Sequence, residues 1–100
     1  MQEGKHRWTY YEDKYCCQQF VEYYVINKSN MDTETFVALL QKELHEIKLA
    51  SLRMKIGNIK FLLSELKVHN TSPCQFLPHY SMQNMQAMKD VLHENGIAGF

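Results

Sequence analysis

Ser51-Leu52-Arg53-Met54-Lys55-Ile56-Gly57-Asn58-Ile59-Lys60-Phe61-Leu62-Leu63-Ser64-Glu65-Leu66-Lys67 is the stretch on which the fold turns. Leu52, Ile56, Ile59, Leu63 and Leu66 recur in alternating steps of four and three, the spacing of a helix with one continuous buried seam. At about 100° per residue, the opposite face carries Met54, Asn58 and Phe61, with Gly57 beside them. Arg53 and Lys60 flank that face on one side and Lys55 on the other. A methionine and a phenylalanine turned away from the seam need an explanation. Either this face recognises a partner, or another part of the chain covers it. The fourth helix is the expected cover, because its own apolar stripe needs something to pack on.

Upstream, Thr9-Tyr10-Tyr11-Glu12 has the form of a capping box, in which the threonine hydroxyl and the glutamate serve each other's backbone N–H groups. The chain from there to about Ile26 lacks glycine and proline, and Asn27-Lys28-Ser29-Asn30 breaks it. Cys16, Phe20, Val21 and Tyr24 make an apolar stripe, and Tyr15, Gln19 and Tyr23 a neighbouring one. Asp32 or Thr33 caps a second helix, whose apolar face is Phe36, Leu39, Leu40 and Leu44. His45 to Ala50 reads as the connection to the third helix. Downstream, Val68 to Tyr80 is irregular and holds both prolines, Pro73 and Pro78. Ser81 caps a fourth helix with the stripe Met85, Met88 and Leu92, and Asn95-Gly96 stops it. The fold class is therefore all-α: a single domain of about four helices with a helix-turn-helix core. Residues 1–7 are expected to be flexible, 8–67 to form that core, and 68–100 to supply a loop and the C-terminal helix.

One hundred residues suit one domain, and 45% hydrophobic with 12% aromatic content argues for a folded chain. No run approaches the roughly 18 apolar residues of a membrane span. Cys16, Cys17 and Cys74 are an odd number, two of them adjacent, which makes a poor disulfide framework and points to a reducing, cytoplasmic location. Net charge is zero, yet 48–67 holds five basic residues and one acidic, so that segment carries +4 and the remainder −4. A locally basic helix on a neutral protein can contact phosphates; a solvated helix face gives the same count.

Two helices joined by a short turn, the second with a core seam and a basic outer face, follow the plan of a helix-turn-helix. Asn58 can pair with adenine through both its amide groups, and Ser51 or Arg53 near the helix start can meet phosphate or a base edge. Lys55, Lys60 and Lys67 would neutralise phosphates, with Met54 and Phe61 completing the face. Trp8-Thr9-Tyr10-Tyr11-Glu12-Asp13 resembles the W-T-x-x-E-D opening of Myb/SANT-type modules. Ser51 to Leu62 is similar to the M-K-x-x-N-[IF]-x-x-L segment of small helical modules attached to, or encoded near, HNH endonucleases and other bacterial restriction-type proteins. The resemblance brackets Trp8 to about Leu66. It implies a DNA-associated helper module of bacterial or phage origin, with Met54, Lys55 and Asn58 on its characteristic helix. Myb repeats carry more than one core tryptophan, whereas this chain has only Trp8. The His and Asn arrangement of an HNH nuclease is missing, so nuclease activity does not carry over.

The other chemistry-bearing residues favour structure. The tyrosines and Trp8 can stack on bases, but such side chains more often sit at a helix-packing edge with the hydroxyl in water. Cys16, Cys17, Cys74, His69 and His79 match no zinc-ligand spacing, and adjacent cysteines on a helix point about 100° apart. Cys74 with His79 lacks an orienting third group for nucleophilic catalysis. Glu12 and Asp13, or Glu43 and Glu46, fall at a helix start and on a polar face. The expectation is a non-enzyme without cofactor, metal or small-molecule substrate. It would bind double-stranded DNA, in the company of a nuclease or other defence protein. The rival is a protein–protein adaptor or inhibitor, for example a phage product that blocks a host nucleic-acid enzyme. An exposed stripe of Arg53, Lys60 and Lys67 would favour DNA, and acidic side chains among them the adaptor.

Overall fold

Four helices form, each where the pattern of caps and apolar residues requires one, and the computed structural model describes them within residues 6–97, 99 and 100. The expected flexibility of 1–7 falls, for residues 1–5, outside the described residues. His6 is held: its ring meets Trp8 edge-on at 5.0 Å, and its Nε2 lies 2.8 Å from Glu12 Oε1.

Helix α1 spans Tyr10–Phe20. Its capping box closes as expected: the Glu12 N–H donates to Thr9 Oγ1 at 3.1 Å, and the Thr9 N–H donates to Glu12 Oε1 at 3.0 Å. The helix runs straight on into a π-helical segment, Val21–Ile26. Lys28, at φ 52°, then takes the left-handed conformation and turns the chain. The wide turn leaves the Tyr24 carbonyl open to the Thr71 N–H, at 3.0 Å, which ties the later loop to this end of α1.

Helix α2 is Thr33–Glu43, with Asp32 accepting from the Thr35 N–H at 3.0 Å. Helix α3 is Leu49–Glu65. It begins two residues before Ser51, so the connection is shorter than His45 to Ala50. Helix α4 is Met82–Glu94, capped by Ser81. The ends of α3 and α4 share one geometry. Val68 and Lys67 N–H groups return to Leu63 and Ser64 carbonyls, and those of Ile97 and Gly96 to Leu92 and His93. Each is a six-to-one plus five-to-two closure around a left-handed residue. Gly96 adopts φ 71° freely, whereas Lys67 at φ 63° does so against its own Cβ.

The core is the meeting of four stripes: Cys16, Cys17, Phe20, Val21 and Tyr24 from α1 and its π segment; Phe36, Val37 and Leu40 from α2; Leu52, Ile56, Ile59, Leu62 and Leu63 from α3; Ala87, Met88, Val91 and Leu92 from α4. Phe20, Tyr24 and Phe36 pack ring to ring at 4.9–6.0 Å. Leu39, Leu66 and Met85, expected in the seams, are only half-buried, and Val37, Leu62 and Val91 take the interior places; on α1, Cys17 joins the expected stripe. Helix α4 packs chiefly along α1, and α2 along α3. No helix among the described residues is long and apolar enough to cross a membrane.

Candidate functional site

The two motifs that carry the resemblance meet in three dimensions. Asp13, the last residue of the opening motif, is fully buried, and its Oδ1 lies 2.6 Å from Lys55 Nζ. That oxygen has no other donor, while Oδ2 accepts from Gln83 Nε2 at 2.8 Å. The same Gln83 amide donates to the Trp8 carbonyl at 3.0 Å. The Trp8 ring caps the pair, with Lys55 Nζ 4.5 Å from its centroid. Beneath lies Asn84, whose Oδ1 faces the Cys17 thiol at 3.5 Å and whose amide nitrogen has no acceptor among the described residues. Lys55 is only 7% exposed. This corrects its placing among the outer, phosphate-facing lysines. At 140° or so from Lys60 on the helix wheel, it looks inward to α1 and spends its charge on Asp13, because a buried carboxylate without a partner is prohibitively costly.

On the opposite side, the loop after α3 lies across the outer face. Lys60 Nζ donates to the Ser72 and Cys74 carbonyls at 2.5 and 3.0 Å and stands 5.4 Å from the Phe76 ring centroid. Asn58 donates its amide to the Leu77 carbonyl at 2.7 Å, and the Leu77 N–H donates to the Gly57 carbonyl at 3.2 Å. Gly57 is the residue that permits this approach: a Cβ there would stand 2.8 Å from Leu77 Cγ and 3.0 Å from the Gln75 carbonyl oxygen. Phe61 packs on Tyr80 at 6.0 Å. The cover expected from the fourth helix thus comes from the loop, and it reaches Phe61 and Asn58 but not Met54, which is 60% exposed.

Of the remaining predicted site residues, Ser51 is half-buried in the first turn of α3, and Arg53 is exposed there. Arg53 donates through Nε and a terminal nitrogen to both oxygens of Glu34, each at 2.8 Å. That bidentate partner holds the Glu34 carboxyl below its ordinary value and raises Arg53. Lys67 is exposed, and its backbone terminates α3. Arg53, Lys60 and Lys67 therefore do not make one free cationic stripe. Asp13, Gln83 and Glu34 were the partners that sequence reasoning missed. Only Asp13 carried a signal, as part of the E-D motif, and nothing in the spacing joined it to Lys55.

The three cysteines are buried and unpaired. Burial pushes the Cys16 thiol up to about 12 and raises Cys17 and Cys74, so none is held as the reactive thiolate. Among the described residues no group of three His, Cys, Asp or Glu side chains is gathered for a metal. Comparison with protein-family models, curated proteins and solved structures finds no match to this chain.

Proposed function

We propose that this chain is a non-catalytic binding module whose partner is another protein. One observation carries the reading: the donors on the outer half of α3 are engaged within the chain, while large apolar side chains beside them are exposed. Duplex binding draws its affinity from cations that are free to replace the counterions of phosphate. Here Lys60 serves the Ser72 and Cys74 carbonyls, Arg53 faces Glu34 and Asn58 serves Leu77, while Lys55 is turned inward to Asp13 and is not on this face at all. Beside them stand Met54, 60% exposed, and Phe76, 53% exposed, with Leu77 over Gly57, one turn from Met54. Flexible methionine and aromatic side chains rimmed by polar groups suit an anchor in a protein interface. The resemblance to restriction-associated modules suggests the class of partner, a nuclease or other defence protein, which the module recruits or inhibits.

A helix-turn-helix that binds double-stranded DNA is the second reading. It is favoured by the first turns of α3, where Lys48, Ser51, Arg53 and Met54 follow a short turn and no side chain caps the helix. DNA would there have to draw Arg53 from Glu34. Fluorescence anisotropy with random duplex at low and moderate salt separates the two. The protein reading expects no salt-dependent binding. It also expects one protein, captured from a bacterial lysate by cross-linking, to be lost with M54E/F76E and kept with R53Q. Tight duplex binding that falls steeply with salt and disappears in R53Q would overturn it in favour of DNA.

A further inference from the structure

The loop over α3 is held through its main chain. Both of its prolines follow a residue whose carbonyl accepts from a side chain of α3. Ser72, before Pro73, is held by Lys60, and Leu77, before Pro78, by Asn58. Lys60 also holds the Cys74 carbonyl, and the Leu77 N–H returns to the Gly57 carbonyl. A proline pushes the residue before it into the extended region and itself has no N–H to donate. Residues 72–78 form no regular structure in which these carbonyls could be paired, so α3 supplies the donors.

The contact is also shaped. Leu77 Cγ and Cδ1 lie 2.8 and 2.9 Å from where a Cβ on residue 57 would stand, so the leucine fills a notch that glycine leaves open. Apart from Leu77, and the Phe76 ring near Lys60, these contacts address main chain alone. Another segment with a leucine–proline step would meet the same notch and the same donors. Little else holds the loop down. Gln75, Phe76, Leu77 and Pro78 are exposed, and only Ser72 and Cys74 are buried. Segments with so few buried apolar contacts open locally at low cost. The ties of Thr71 to the Tyr24 carbonyl and of Tyr80 to Phe61 lie outside 72–78, so the loop can lift without moving α4. We infer, resting on the reading that the partner is a protein, that the outer face of α3 is a groove for an extended leucine–proline segment of that partner. Residues 72–78 occupy it in cis as a competitor. Met54, one turn before Gly57, is the exposed edge of this groove.

The test uses the full-length chain and a synthetic peptide of residues 71–80, fluorescently labelled and kept reduced, read by anisotropy. In the wild type the loop competes at an effective concentration on the order of millimolar, so the peptide should bind barely at all. Leu77→Gly empties the notch and loosens the loop while α3 is untouched. It should bind the peptide at least about tenfold tighter than wild type does. Adding Gly57→Ala fills the notch and should abolish that gain, although alanine favours the helix. Leu77 is 36% exposed, so L77G is expected to unfold cooperatively; if it does not, Leu77→Ala gives the same comparison. Equal binding by wild type and L77G, no binding by L77G up to about 1 mM peptide, or a gain that survives G57A would each overturn the groove. No lysate protein enters this assay, so such a result leaves the protein-partner reading to the capture experiment.

Discussion

Lys55 and Lys60 stand five positions apart on one helix, alike in the sequence, and the fold uses them in opposite ways. Lys55 is a buried charge. It closes a cluster in which α1, α3 and α4 each supply a group, and the Trp8 ring seals it from water. Lys60 is a half-buried tether whose ammonium holds two carbonyls of a loop that has no regular structure of its own. The difference shows how a helix can have two covered faces of unequal worth. One is welded by a charge that must be paired, and the other is draped by a strap held through a few polar contacts.

The largest effect should come from leaving Asp13 alone. Lys55→Met is expected to cost about 3–5 kcal/mol in urea unfolding, as for other buried pairs that lose one partner. Asp13→Asn added to it should recover much of that loss, because the amide carries no charge to desolvate. A K55M midpoint equal to wild type would show that the two lysines are not used differently. Lys60→Met should cost less, about 1.5–3 kcal/mol for its charge-assisted hydrogen bonds. Its sharper signature is local: amide exchange at Cys74 and Leu77 should accelerate while the α1–α4 core keeps its protection. If the core amides speed up equally, the loop is not a separable strap.

Lys67→Gly tests a third lysine, assigned above to a helix end. Relief of the left-handed strain should raise stability by about 1 kcal/mol. A loss of stability would mean that the side chain, and not the backbone, matters there. The smallest effects belong to exposed carboxylates. The Thr35 hydroxyl and N–H hold the Asp32 carboxyl below its ordinary value, and the Arg53 guanidinium does the same for Glu34. Groups whose folded pKa is depressed contribute stability above their unfolded values and lose it as pH falls through the folded ones. Acid unfolding should therefore set in below about pH 4, and Asp32→Asn, which keeps a cap, should flatten that acid limb slightly. An acid limb identical in D32N would remove Asp32 from the account.

Much of the fold was legible because its signals are local. Thr9, Asp32 and Ser81 each act on backbone N–H groups within three residues, and most of the buried residues of α1 and α3 follow from helical spacing. The exchange of Leu66 for Leu62 in the buried face of α3, and of Met85 for Val91 in that of α4, was not legible. Which edge of a stripe goes inward depends on the angle at which the neighbouring helix crosses. Of the candidate surface, Met54 is exposed, whereas Asn58, Lys60 and Phe61 lie under a loop that periodicity passes over.

By itself, the sequence determined four helices, the side-chain caps of three of them and most of the residues that fill the core, since these rest on contacts three or four positions apart. The tertiary structure alone decided what the charged and amide side chains do. Lys55 meets Asp13 across 42 positions, Gln83 meets it across 70, and Arg53 reaches Glu34 across 19. A charge takes its character from whatever lies within a few ångströms of it, and that is set by how helices cross, not by which residues stand beside it in the chain.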